Sequence, residues 1–302
     1  YIILAARSEL ESLGQGSTFK ELSRSKLESV YVPCPPLLEQ KLIADYLDRE
    51  TGRIDSLIDK KQCIVKLLKE QRIALISHAV TKGLDPNVKM KLSGVEWLGE
   101  VPEHWEVKAL KWTTPVLRGA SPRPIEDPIY FDEEGEYAWV RISDVTSSKV
   151  FLNETTQRLS DIGSNLSVKL NPGALFLSIA ATVGVPCIAN VKCCIHDGFV
   201  YFPRLKSNVK FTYYIFACGE PYKGLGKLGT QLNLNTDTVG SIAMGFPPLL
   251  EQKLIADYLD RETGRIDSLI DKVEQAIDIL KEHRTALISA AVTGKIDVRE
   301  AA

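Results

Sequence analysis

From Ile43 onward, positions spaced alternately four and three apart read Ile43, Leu47, Glu50, Ile54, Leu57, Lys61, Ile64, Leu68, Gln71 and Leu75. An apolar residue at most of these places is the seam of a coiled coil. The same spacing returns as Ile255, Leu259, Glu262, Ile266, Leu269, Val273, Ala276, Leu280, His283 and Leu287. Pro35-Pro36 and Pro247-Pro248 stand where each helix begins, a place proline tolerates. Gly83 and Gly294 stand near the ends, where helices stop. Gly52 and Gly264 fall inside, at roughly 1 kcal/mol each, so tertiary packing must override them. Helices of roughly 40 residues would run about 60 Å. Between the two stretches the pattern changes to short β-type runs: 137–142, 174–179 and 199–202, punctuated by Gly, Pro, Asn and Asp.

The two helical stretches are copies of one another. Pro35 to Lys60 recurs unchanged, all 26 residues, as Pro247 to Lys272, an offset of 212. Farther on, Lys69-Glu70-x-Arg72-x-Ala74-Leu75-Ile76-Ser77 returns as Lys281-Glu282-x-Arg284-x-Ala286-Leu287-Ile288-Ser289. Upstream the likeness fades but the register holds, with Tyr1, Ile3, Ala5 and Thr18 matching Tyr213, Ile215, Ala217 and Thr230. A period this long is no solenoid. It describes a unit of one divergent globular domain plus one preserved helix. On that reading, 1–34 is the C-terminal remnant of a first domain and 35–84 its helix. Residues 91–246 are a complete second domain, and 247–296 its helix. Two whole periods would take 424 residues, so about 122 are expected ahead of Tyr1.

Composition adds limits. Hydrophobic residues at 44% and charged residues at 25% are those of a globular protein, and no apolar run is long enough for a membrane span. Six scattered cysteines, Cys34, Cys63, Cys187, Cys193, Cys194 and Cys218, lack a framework spacing, which implies reduced thiols and a cytoplasmic home. The net charge is −2, but it is unevenly spread. Glu96 to Glu136 holds ten acidic and four basic residues; Tyr137 to Leu234 holds ten basic and five acidic. A basic half is compatible with a face that meets phosphate.

Two further segments carry a resemblance. One is Ser93-Gly94-Val95-Glu96-Trp97-Leu98-Gly99-Glu100-Val101-Pro102-Glu103-His104-Trp105-Glu106. The other is Pro247-Pro248-Leu249-Leu250-Glu251-Gln252 followed by Ile255-Ala256-x-x-Leu259-Asp260, present again from Pro35. They resemble the opening of a target-recognition domain and its junction into the spacer helix in specificity subunits of type I restriction–modification enzymes. The resemblance covers essentially the whole chain. It implies an α+β fold, with strand-rich target-recognition domains joined by two long antiparallel coiled-coil helices. It implies a non-catalytic subunit with no cofactor and no metal, which reads half of a split site in double-stranded DNA. Methyltransferase subunits and restriction/translocase subunits are the implied protein partners, with no membrane involved. A coiled-coil adaptor whose variable domain binds protein is the alternative, and the basic balance of 137–234 speaks against it.

Candidate DNA contacts follow. Arg118-Gly119-Ala120-Ser121-Pro122-Arg123-Pro124 is a small basic loop. Its arginines suit guanine edges and phosphates, and its glycine permits close backbone approach. Arg118, Ser121 and Arg123 are its candidates, joined by Arg141; a solvated turn would look much the same. Lys223 to Asn235 combines glycines, lysines and the amides Gln231, Asn233 and Asn235, which suit adenine. Its candidates are Lys223, Lys227, Thr230, Gln231 and Asn233, with Thr18 and Lys20 in the other copy; a Gly-rich surface turn is the plain alternative. Gly224-x-Gly226-x-x-Gly229 is formally a dinucleotide fingerprint but lacks the strand and βαβ unit it needs. Asp127-Pro128-Ile129-Tyr130 reads as a turn rather than an adenine-methyltransferase tetrad. Cys187, Cys193, Cys194 and His196 lack zinc spacing and read as buried thiols in strands. Asp132, Glu133, Glu134 and Glu136 read as a solvated acidic loop.

Overall fold

The computed structural model describes residues 1–14, 21–223 and 234–298. The described residues divide into two compact units, 71–264 and the pair of segments 1–70 and 265–302. The two long helices are α4 (Leu37–Lys82) and α9 (Leu249–Val292). The other helices are short: α1 (Ile2–Ala5), α2 (Arg7–Leu13), α3 (Arg24–Glu28), α5 (Ile142–Ser147), α6 (Asp161–Asn165), α7 (Val209–Ala217) and α8 (Thr236–Ser241).

In the larger unit a five-stranded sheet has the order β4 (Leu117–Arg118), β12 (Phe199–Tyr201), β9 (Leu175–Ser178), β10 (Pro186–Ala189), β6 (Phe151–Leu152). A four-stranded sheet has the order β7 (Gln157–Leu159), β5 (Tyr137–Val140), β11 (Cys193–Ile195), β8 (Val168–Leu170). Two small antiparallel pairs complete it, β1 (Met90–Leu92) with β2 (Glu100–Pro102) and β3 (Glu106–Ala109) with β13 (Ala243–Phe246). The pairs β5–β11 and β6–β10 are parallel and the rest antiparallel.

Strand side chains alternate between faces, so the apolar runs of β5 and β9–β12 fill two layers at once. Ala138, Val140, Cys193 and Ile195 from one sheet meet Phe176, Cys187, Ala189 and Phe199 from the other in a shared core. The intervening residues point the opposite way. Trp139 and Cys194 pack with Leu159. Leu175, Leu177, Ile188 and Val200 join a third layer built on α7 and the ends of the long helices, with Phe211, Tyr214, Ile76, Ala79, Val80, Ile255, Ala256 and Leu259. The expected strands are seen, each trimmed by one or two residues, with Ile142 opening α5 instead. The three strand cysteines are buried free thiols, as read. The Asp127 turn is a single 3-10 turn in which the Asp127 carboxylate accepts from the Ile129 N–H.

The opening motif and the helix junction bind each other. Trp105 is buried edge-on to Phe211, and its indole N–H donates to Glu251 at 3.0 Å. His104 Nε2 lies 2.7 Å from the other Glu251 oxygen. Gln252 donates to the Pro247 carbonyl and accepts from the Asn208 N–H, at 2.8 and 2.7 Å. Thus the preserved Glu-Gln pair fastens the first turn of α9 to the opening motif of the strand-rich domain and to the start of α7.

The long helices run antiparallel within each unit. In the smaller unit Leu47 packs with Ile288, Ala291 and Val292. There Arg284 pairs with Asp55 at 2.8 Å, and Lys69 with Glu274 at 3.3 Å. In the larger unit Ile76, Ala79 and Val80 cluster with Ile255, Ala256 and Leu259. Gly83 and Gly294 stop the helices in left-handed geometry, at φ 75° and 72°.

The seam differs from the expected one in register. Thr51 and Thr263 are buried in preference to Glu50 and Glu262. Past them Ile58, Val65, Arg72 and Ile76 turn inward in place of Leu57, Ile64 and Gln71, while Leu75 stays half-buried against the core. The second helix makes the same one-residue shift, to Ile270, Ile277, Arg284 and Ile288. Two four-residue steps in succession, 43 to 47 to 51, replace a four and a three, a local unwinding of the supercoil. Burying threonine there is inexpensive, because each hydroxyl donates to the carbonyl four residues back, Leu47 at 2.5 Å and Leu259 at 2.6 Å.

Both units hold the preserved Asp-Thr step with a tyrosine, though from neighbouring places in the repeat, since Tyr1 is the counterpart of Tyr213. Tyr214 donates to Asp260 at 2.7 Å beside Thr263. In the smaller unit Tyr1 donates to the counterpart Asp48 at 2.5 Å beside Thr51.

Candidate nucleic-acid interface

The loop after β4 lies flat on the turn that follows β11. Gly119 donates to the Phe199 carbonyl and Ala120 to the Ile195 carbonyl, at 3.0 and 3.1 Å. A side chain on Gly119 would stand 2.2 Å from the His196 carbonyl oxygen. This corrects the role assigned to that glycine: it is buried and serves internal packing, not backbone approach by DNA.

Three of the candidate residues converge on one residue that the sequence did not single out, Asp197: two on its carboxylate and one on its backbone carbonyl. Arg118 Nε donates to the Asp197 carbonyl at 2.5 Å. The Ser121 hydroxyl donates to Asp197 Oδ1 at 3.0 Å, and Arg123 to Oδ2 at 3.2 Å. Partial burial pushes the Asp197 carboxyl up. The Ser121 hydroxyl, a backbone N–H and the two guanidiniums outweigh it and hold the carboxyl below its usual range. Sequence separation of 74 to 79 residues hid this arrangement.

His196 sits beside it, its ring 4.6 Å from Phe199 and 5.9 Å from Trp139 between centroids. Nδ1 accepts from the Gly198 N–H at 2.9 Å, which leaves the proton of the neutral ring on Nε2. Burial lowers the His196 pKa, with Asp197 opposing. Arg141 follows the β5 residue that pairs with Ile195, so it ends its strand level with His196. Its guanidinium donates to Gln157, while its backbone N–H is capped by Asp144 at 2.8 Å. Arg118, Ser121, Arg123 and Arg141 therefore share one end of the two-sheet body.

Lys223 lies elsewhere, after the turn Glu220–Tyr222, and pairs with Glu220 at 2.7 Å. Neighbouring Tyr222 stacks on Phe216 and leaves no room for a side chain on Gly184 in the β9–β10 hairpin. That hairpin also reaches the first cluster, since Ala180 packs close to Gly198. Asn235 is not free to read a base: its side chain caps α8, accepting from the Thr238 N–H at 2.8 Å. Asp132, Glu133, Glu134 and Glu136 are all exposed, as expected of a solvated acidic loop, with Glu136 paired to Lys192 across the surface. Thr18, Lys20, Lys227, Thr230, Gln231 and Asn233, and the glycine fingerprint, lie outside the described residues.

The class of architecture is thus a two-sheet domain with arginines at one end, carried on paired long helices. The family model for the type I restriction modification DNA specificity domain matches residues 1–64 and 102–278, and the chain belongs to that family. It is 26% identical over 316 residues to the type I restriction enzyme MjaVIII specificity subunit of Methanocaldococcus jannaschii, across 99% of this chain and 70% of that protein. Among solved structures, a chain from work on complex assembly and conformational transition of the type I R-M system superposes with a TM-score of 0.76. Its identity is 19%, over 96% of this chain and 68% of that one. The HsdS subunit of Thermoanaerobacter tengcongensis gives 0.53 at 19% identity, over 97% and 68%. Among the described residues no helix is long and apolar enough to cross a membrane, and no cluster of His, Cys, Asp and Glu is placed to hold a metal.

Proposed function

We propose that this chain is the DNA-recognition subunit of a type I restriction–modification complex. It reads a half-site of a split duplex target with 91–246 and contributes no catalytic group of its own. The observation that carries the reading is the family match, which spans both copies of the repeat. Arg118, Ser121, Arg123 and Arg141 are the proposed contacts on the two-sheet body, and Lys223 leads into a second contact segment with Lys227, Thr230, Gln231 and Asn233. Thr18 and Lys20 hold the corresponding place in the other copy. Residues 1–34 correspond to the last portion of a first recognition domain.

The scaffolding role is supported by the outward faces of the helices. Leu38, Lys41, Asp45, Arg49, Gly52 and Ser56 form an exposed stripe on α4, and their exact counterparts from Leu250 to Ser268 form one on α9. Internal packing explains identity at the seam but not at exposed positions, where substitution is nearly free. Leu37 and Leu38 are 82% and 75% exposed, Leu249 and Leu250 61% and 72%. Two identical surfaces suit two copies of one partner, and we assign that partner to the methyltransferase subunit. Restriction/translocase subunits would join the resulting complex.

The test is a nuclease footprint of the full chain with its cognate methyltransferase subunits. Protection confined to particular duplex sequences is expected. Uniform protection, or capture of protein with none of DNA, would replace this reading with that of a protein adaptor.

A further inference from the structure

We propose that Asp197 is a positioning residue for sequence discrimination: it holds Arg118, Ser121 and Arg123 as one block so that the loop meets base edges in a fixed geometry. The inference rests on the DNA-reading function proposed above. A carboxylate on a face that meets phosphate is at first sight a misplaced charge, since it repels the backbone. Its contacts explain its presence. The Asp197 carbonyl takes Arg118, one carboxylate oxygen takes Ser121 and the other takes Arg123. The turn that carries it is fixed in turn by His196, whose Nδ1 accepts from Gly198, and by the loop backbone bonded to Ile195 and Phe199.

An arginine free to swing finds phosphates anywhere along a duplex. One held in a set direction reaches a guanine edge only where the sequence supplies it. Arg123 is mostly exposed, and its charge-assisted bond to Asp197 is what gives it a direction. Asp197 therefore trades general affinity for selectivity. Removing its charge should have opposite effects on the two, which a purely structural role does not produce.

The experiment compares the full chain with Asp197→Asn and Arg123→Ala. Each is measured against a pool of randomised duplexes and against a single non-selected duplex, over a range of salt. For Asp197→Asn we expect tighter binding to the non-selected duplex, with a salt slope steeper by about one. Discrimination in favour of the selected sequence should fall by about tenfold, within the range for one lost base contact. Arg123→Ala should weaken both kinds of binding. Asp197→Asn added to Arg123→Ala should change discrimination much less than it does alone, because Asp197 acts partly through Arg123. Thermal melting of each variant establishes that it is folded; if Asp197→Asn is not, Asp197→Ser is measured in its place, and it too must tighten non-selected binding while lowering discrimination. Equal losses in both kinds of binding, or no change in either, overturn the positioning role. If the wild-type chain itself selects no sequence, the DNA-reading function fails and takes this inference with it.

Discussion

Gly52 and Gly264 sit at equivalent points in the middle of α4 and α9, exposed, with no heavy atom within 4 Å of where a Cβ would stand. Neither has a positive φ that would reserve the place for glycine. Replacing each with alanine should therefore give the full difference in helix propensity, about 0.8–1.0 kcal/mol, with no steric cost to offset it. The sites belong to different units, so the gains should add, to about 2 kcal/mol for the double variant. Thermal unfolding followed by circular dichroism at 222 nm should show a rise of about 2–4 °C for each. The same methyl groups protrude from the outward stripe, so under the scaffolding role proposed above, capture of a methyltransferase subunit should weaken in a pull-down as the chain itself becomes more stable. Unchanged or lowered stability at both positions would refute the reasoning, because it would mean the glycines already serve a need within the chain.

Further outcomes concern the thiols, the scaffold and the domain lock. Cys187 and Cys193 are pushed up to about 12 by burial and Cys194 to about 11, while Cys34 and Cys63 are exposed. Iodoacetamide at pH 8 should label Cys34 and Cys63 in the native protein and all six cysteines only after unfolding, as read by mass spectrometry. These raised values also make stability fall above about pH 9, where thiols of the unfolded chain lose protons that the folded chain keeps, and urea titrations at pH 8 and 10 should show it. Trp105→Ala removes a buried ring and the indole bond to Glu251, and should cost about 3–5 kcal/mol in urea unfolding. A chain of 91–302 alone lacks α4 and leaves the α9 seam uncovered, so light scattering should report a homodimer at micromolar concentration.

Element types were legible in the sequence because each has its own period and its own stops. The 26-residue repeat and the proline pairs placed both helices, and continuous apolar runs marked β5, β9 and β12, the strands covered on both faces. The phase of the seam was less legible. Apolar doublets at 57–58, 64–65 and 75–76 satisfy either of two adjacent registers, and only the facing helix decides between them. The candidate loop was picked out by its arginines and glycine. Its partner Asp197 was not, because a contact between residues more than 70 apart leaves no periodic trace. Asn235 ahead of Thr236 has the chemistry of a helix cap and of a base reader alike, and the structure uses its amide as the cap.

The central claim is that this chain reads duplex sequence. The most direct test is selection from a fully randomised duplex pool by the full chain at physiological salt, with sequencing of what is retained. The account predicts enrichment of a short defined motif, lost when Arg118, Ser121, Arg123 and Arg141 are replaced together by alanine while the chain stays folded. Retention of DNA with no sequence enriched above the starting pool would contradict it.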